Sequence, residues 1–123
     1  ARLYVASYYD PIDGSNPAIK DFNERYTKQF PGAKPSSMAL MGYSAAAVTV
    51  EALKRAGPQL DRTKVLAALD SLKDFDQKIG PKITFTEKQH QGSDSIVIQK
   101  CGPNGSYIEL QGWTSNELAT WKK

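Results

Sequence analysis

The strongest constraint on the fold is a change of hydrophobic period at Gly80–Pro81. Upstream of this pair, apolar residues recur every three or four positions, as in helices, and downstream they alternate with polar residues, as in strands. Two further pairs, Pro31–Gly32 and Gly57–Pro58, divide the helical part of the chain. The pattern therefore predicts an α/β chain with three main helices and a C-terminal β-hairpin.

Each predicted helix has a capping residue at its start. Asn16 followed by Pro17 begins the first helix, a hydroxyl at Ser36 or Ser37 begins the second, and Asp61 begins the third. Helical spacing then predicts three apolar faces: Ile19, Phe22, Tyr26 and Phe30; Tyr43, Ala46, Ala47, Val50 and Leu53; and Val65, Leu66, Leu69 and Leu72.

Strands are predicted on both sides of the helices. Residues 3–9 are rich in aromatic and β-branched side chains, which favours a first strand. The alternation over residues 82–85 predicts a second strand, and residues 96–98 and 107–110, joined by a glycine-containing loop, predict the hairpin. Asn116 is a candidate cap for a short final helix.

Size and composition exclude several classes of protein. A length of 123 residues suits one domain and is too short for two ordinary ones. Charges of both signs are interspersed and sum to +3, which does not indicate a nucleic-acid partner. The longest uncharged stretch, Pro35 to Val50, contains polar residues and falls short of the roughly 20 apolar residues of a membrane span.

The residues that could carry catalysis or bind a metal are few. The single histidine, His90, lies in a polar run that predicts a solvated loop, and the single cysteine, Cys101, is predicted to be a half-buried apolar residue. The carboxylates of Asp70, Asp74 and Asp76 are ordinary charges near a helix end. With no nucleophile beside a base and too few soft ligands, we predict no enzyme, no catalytic residue, no metal site and no cofactor.

Three sequence patterns, in order, carry a resemblance to a known family. The first leads from Gly-Tyr-Ser-Ala-Ala at residues 42–46 to Ala-Leu-Lys-Arg-Ala-Gly at residues 52–57. The second is a short helix that ends in Ala-Leu, over residues 61–69, and the third is Gly-Pro-Lys-Ile-Thr-Phe at residues 80–85. Together they resemble the C-terminal third of the periplasmic substrate-binding proteins of branched-chain amino-acid ABC importers, type I periplasmic binding proteins.

The resemblance implies that this chain is a fragment of a larger fold. Such proteins have two α/β lobes that enclose a ligand by hinge closure. Residues 1–123 then form a single α/β segment that corresponds to the C-terminal third of this larger fold. Because the chain begins with Ala1 and has no signal-type apolar core near its start, we expect either a processed mature protein or an excised piece. The helix face Phe22, Tyr26 and Phe30 is expected to be partly bare, and to be buried by the missing lobe of the same protein or by self-association.

The resemblance also implies a function. We expect the solute-binding component of an ABC importer, which captures a small molecule such as an amino acid or a related compound between its lobes and delivers it to a membrane permease. The implied location is periplasmic, or extracytoplasmic with a lipoprotein anchor in a Gram-positive cell. The alternative is a ligand-sensing regulatory or receptor domain on the same fold.

Four residues are candidate ligand contacts under this resemblance. Tyr8 and Tyr9 end the first strand, where rings and hydroxyls can face the cleft, and Met38 and Met41 bracket the start of the Gly-Tyr helix, with Met38 in the preceding loop. Packing in the core is the alternative role for all four. Two departures from the family are Ser44, in place of an aspartate, and Gln89-His90-Gln91-Gly92, in place of an acidic-glycine turn.

Overall fold

The computed structural model describes residues 3–115, apart from the side chain of Asn104. It contains three helices and a three-stranded sheet, which confirms the predicted α/β class with three main helices and a hairpin. The elements are β1 (Tyr4–Ser7), α1 (Pro17–Gln29), α2 (Ser37–Ala56), α3 (Arg62–Asp70), β2 (Ser95–Cys101) and β3 (Tyr107–Ser115). The helix predicted to begin at Asn116 lies outside the described residues.

The sheet joins the beginning of the described chain to its end. Its strand order is β1-β2-β3 and both pairings are antiparallel. The predicted hairpin is confirmed, with a short 3-10 turn over Pro103–Gly105 in its loop. Side chains alternate across β2, and its buried residues are Val97 and Gln99. The sheet thereby places the end of β1 next to the helices.

The three helix starts are confirmed in atomic detail. Side-chain oxygens of Asn16, Ser36 and Asp61 accept hydrogen bonds from backbone N–H groups of the first turns at 2.9, 3.2 and 2.8 Å. Each bond satisfies a donor that has no partner within its own helix. These contacts fix where each helix begins, and hence where the α2 N-terminus meets the end of β1.

The buried core lies between α1, α2 and the segment that follows α3. Its buried members are Ile19, Phe22, Leu40 and Ile79. The expected partly bare face of Phe22, Tyr26 and Phe30 is bare at Phe30, whereas Phe22 is buried, with its ring 5.2 Å from that of Tyr43 on α2. Only the end of that face, at Phe30, is exposed. The chain therefore covers most of the α1 apolar face with its own second helix.

The predicted faces of α2 and α3 are also wrong in part. The buried residues of α2 are Leu40, Ser44 and Ala52, which are rotated about the helix axis from the predicted stripe. On α3 the buried residue is Ala68, whereas Leu66 is exposed and Leu72 is buried beyond the helix end. Helix α2 is apolar on more than one side, so spacing alone does not determine which side faces the core.

Two predicted strands differ from the observed ones. The first strand ends at Ser7, so Tyr8 and Tyr9 follow it rather than belong to it. The segment predicted as a strand at residues 82–85 makes one isolated antiparallel bridge, between Ile83 and Phe75, instead of a ladder. The predicted alternation is not seen in the burial, since Lys82 is exposed but Thr84 is half-buried like Ile83 and Phe85.

Candidate functional site

Two adjoining grooves lie where β1 ends against α2. The smaller groove, of about 280 Å³, is lined by all four candidate residues, Tyr8, Tyr9, Met38 and Met41. The larger groove, of about 430 Å³, shares Tyr8, Tyr9 and Met41 with it. Met38 lies in the first turn of α2 rather than in the preceding loop, because Ser36 already caps the helix. The structure thus places the four side chains together, and their contact with a ligand stays a prediction.

Backbone contacts fix the pair of tyrosines. The carbonyl oxygen of Tyr9 accepts hydrogen bonds from Gln99 Nε2 at 3.0 Å and from Ser7 Oγ at 2.8 Å. Gln99 is a buried residue of β2, so its side-chain amide connects the central strand to the turn after β1. Because the backbone is held, the two rings project from a defined position at the end of the strand.

A glycine allows this turn to approach the segment after α3. A Cβ built on Gly80 would lie 3.0 Å from the carbonyl oxygen of Tyr8 and 3.3 Å from Cδ1 of Tyr9. Both distances are shorter than ordinary van der Waals contact, and the first atom belongs to the backbone, which cannot move aside easily. Gly80 therefore allows the two tyrosines to pack this closely against the segment after α3.

The far wall of the larger groove comes from residues 81–93. Ile83 and Phe85 form its apolar part, and His90, Gly92 and Ser93 also line it. Backbone bonds hold this wall, with Thr84 N–H donating to Gly92 O at 2.8 Å. His90 is exposed, as predicted, but it stands in the groove wall and in that of a neighbouring cavity beside α3.

One buried polar pair lies at the base of the larger groove. Ser44 Oγ on α2 donates a hydrogen bond to Gln77 Oε1 at 2.5 Å, and both residues line the groove. In the sequence, Ser44 differs from the family pattern, and no signal points to Gln77. Gln77 lies in the loop after α3 with no recognisable motif around it, so only its proximity to Ser44 reveals it.

The electrostatic character of both grooves is neutral. None of the described residues that line them is Lys, Arg, Asp or Glu, although such residues make up 24% of the chain. Among the described residues, the two side chains whose pKa departs from its usual range lie outside both grooves. Hydrogen bonds from Lys78 lower the pKa of Asp76, and a hydrogen bond with Tyr43 raises the pKa of Arg25.

The described residues contain neither a candidate metal site nor a candidate membrane-spanning helix. Within residues 3–115, no three His, Cys, Asp or Glu side chains are grouped in a way that could hold a metal ion. In the same part of the chain, no helix combines the length and apolar character needed to cross a bilayer. The grooves have the make-up of a small-molecule site: aromatic and apolar walls with a few polar groups.

The fold and the grooves together define a class, an α/β segment with an uncharged surface of aromatic and apolar side chains. A family model described as periplasmic binding protein matches residues 1–106. The chain belongs to this family, which confirms the resemblance seen in the sequence motifs.

Solved structures agree with the family. The chain is 26% identical to a fatty acid ABC transporter substrate-binding protein from Thermomonospora curvata, with a TM-score of 0.81 over 95% of this chain and 31% of that one. It is 33% identical to a substrate-binding periplasmic protein from Ralstonia solanacearum, with a TM-score of 0.74 over 87% and 31%. A leucine-binding protein from Thermotoga maritima is 27% identical, with a TM-score of 0.66 over 94% and 31%.

These comparisons also set the scale of the chain. It spans about a third of the length of the solved proteins that it matches. Their descriptions are those of binding proteins rather than enzymes. A search of curated proteins gave no match.

Proposed function

We propose that this chain is part of the solute-binding component of an ABC importer and that its two grooves form one wall of the ligand cleft. The observation that carries the proposal is the neutral, aromatic lining around Tyr8, Tyr9 and Met41, in a member of the periplasmic binding protein family. The ligand is a small molecule such as an amino acid or a related compound.

The chemistry of the lining suggests which end of the ligand it holds. A fatty acid and leucine, named in the descriptions of two similar proteins, both join an apolar body to a charged head. Grooves that lack a full charge favour the apolar body, because a buried charge without a partner is costly. The charged head then binds to parts of the protein beyond this chain.

The proposed partners follow from the same role. This segment corresponds to the C-terminal third of a two-lobed protein, and the other lobe closes over the ligand. A membrane permease receives the ligand outside the cytoplasm, in the periplasm or at the outer face of a Gram-positive membrane. The alternative, a ligand-sensing domain, binds the ligand equally well but delivers it to no permease.

Calorimetric titration of the full-length protein with a panel of amino acids and small carboxylates tests the binding role. We expect Tyr8→Ala to weaken binding of the best ligand about tenfold, because it removes an aromatic wall. Tyr4→Ala is the matched control, since Tyr4 is exposed to a similar degree, 56% against 63%, and lines neither groove. Absence of binding by the whole panel would contradict the proposal.

Uptake of the labelled ligand distinguishes the two roles. Deleting the gene abolishes uptake if the protein feeds a permease. Unchanged uptake beside a changed transcriptional or motility response to the ligand would instead indicate a sensing domain.

A further inference from the structure

Gln77 has a side chain that the fold leaves half satisfied. The residue is 9% exposed, and its Oε1 accepts the hydrogen bond from Ser44 Oγ. Its Nε2 is buried, and within the described part of the chain nothing accepts a hydrogen bond from it. A buried amide donor without a partner is unfavourable and uncommon in folded proteins, so it requires an explanation.

The position of the Gln77 side chain suggests an explanation for its unpaired donor. Gln77 and Ser44 both line the larger groove, together with Tyr8 and Tyr9. The bond from Ser44 occupies Oε1, which leaves the Nε2 donor as the unsatisfied end of the amide. A ligand oxygen that enters the groove, with a small displacement of the lining side chains, satisfies it.

The surroundings restrict which oxygen this is. A carboxylate in the groove has no Lys or Arg among the described lining residues to neutralise it. A carbonyl, hydroxyl or ether oxygen needs no counter-charge. The neutral amide of Gln77 and the neutral lining therefore match the same kind of group.

We propose that Gln77 is a ligand-contacting specificity residue, whose Nε2 donates a hydrogen bond to an uncharged oxygen within the apolar body of the ligand. Ser44 is a positioning residue that holds the amide in this orientation. The inference rests on the proposed function and deepens it: the ligand is not a plain hydrocarbon chain on a charged head, but carries a neutral oxygen part-way along.

The test compares three amino acids with unbranched side chains of similar length on the full-length protein. Glutamine carries a neutral oxygen, methionine carries none, and glutamate carries a charged one. We expect the Gln77→Met variant to reduce the affinity for glutamine relative to methionine about tenfold. Gln91→Met is the matched control, because Gln91 is exposed and lines neither groove. Glutamate is expected to bind more weakly than glutamine to the unmodified protein.

Stability measurements separate ligand contact from a structural role. The double variant Ser44→Ala with Gln77→Met replaces both partners of the buried pair by apolar side chains. If the pair serves ligand contact, the melting temperature of the ligand-free protein stays unchanged or rises. If the pair instead stabilises the fold, the double variant has a lower melting temperature. Side-chain amide signals of Gln77, observed by nitrogen-15 NMR, should move when glutamine is added to the unmodified protein.

Each outcome decides the inference. Loss of the glutamine preference in Gln77→Met, with Gln91→Met unchanged, supports it. An unchanged preference, or glutamate as the tightest ligand, overturns it and leaves the proposed binding role intact. Failure of all three amino acids and of the wider panel overturns the binding role, and the inference falls with it.

Discussion

Two glycines allow close packing beside the larger groove. Gly80 lies against the backbone of Tyr8, and Gly92 lies against the side chains of Ile83 and Phe85. At both positions, a Cβ would lie within 3.0 Å of an atom of a neighbouring segment. At the scale of single residues, the groove is therefore shaped as much by missing side chains as by the aromatic rings that line it.

Substitution of Gly92 tests this close packing. A Cβ there would lie 2.9 Å from Cγ2 of Ile83 and 3.1 Å from Cζ of Phe85, so Gly92→Ala should destabilise the fold by about 1–3 kcal/mol. Gly42→Ala is the control, because its Cβ would meet nothing within 4 Å and alanine favours a helix by about 0.5–1 kcal/mol over glycine. Urea unfolding measures both, and equal effects would contradict the packing argument.

The carboxyl group of Asp76 gives a second prediction at this scale. Lys78 donates to it from the side chain at 2.5 Å and from the backbone at 2.8 Å, and these hydrogen bonds hold the pKa of Asp76 below its usual range. A depressed pKa in the folded state means that the contact stabilises the protein above the unfolded pKa, about 3.9, and is lost as the pH falls through the folded pKa. Because the pair is exposed, its effect on stability is small.

NMR titration of the Asp76 carboxyl carbon measures this pKa directly. Lys78→Met should raise it part of the way to its usual range, since the backbone hydrogen bond remains. Lys73→Met is the control, because Lys73 does not contribute to the shift. Identical titration curves in Lys78→Met and the unmodified protein would show that the contact is not maintained in solution.

Helix α2 is the element that connects the core to the site. Its first turns place Met38 and Met41 beside the tyrosines, Leu40 enters the core, and Ser44 reaches Gln77. The start of this helix was predictable because a cap is a contact over three residues, from Ser36 to the N–H of Ala39. Its buried face was not, because the neighbours that choose the face come from distant parts of the chain.

Ser36, the cap of α2, should therefore contribute more to the unfolding free energy than its neighbour Ser37. Ser36→Ala removes the acceptor for the first turn and should cost about 1 kcal/mol of unfolding free energy. Ser37→Ala is the matched control, since Ser37 is the first helical residue and is exposed. Thermal unfolding followed by circular dichroism distinguishes them, and a loss in Ser37→Ala as large as in Ser36→Ala would refute the assignment of the cap.

The described residues leave several large apolar side chains exposed. Val50 and Leu53 on α2 are 49% and 38% exposed, and Ile108, Leu110 and Trp113 on β3 are exposed as well. The chain spans only about a third of the structures that it matches. An uncovered patch of this kind favours association, either with the other parts of a longer protein or with a second copy of the chain.

Sedimentation velocity tests this expectation on the isolated chain. We expect concentration-dependent association that Val50→Lys combined with Leu53→Lys reduces, because charges interrupt the apolar face of α2. The control is Thr27→Lys combined with Gln29→Lys, which adds the same charge to an exposed part of α1. A monomer at all concentrations in the unmodified chain would show that the exposed residues do not drive association.

The sequence by itself determined the α/β class, the helix starts and the hairpin, because caps, turns and hydrophobic periods act between residues only a few positions apart. It also selected Tyr8, Tyr9, Met38 and Met41 through a family resemblance, and the fold brings them to one groove. Only the tertiary structure decided which helix faces are buried and which polar groups meet. Ser44 and Gln77 are 33 positions apart, and Tyr9 and Gln99 are 90 apart, so no local pattern records either contact.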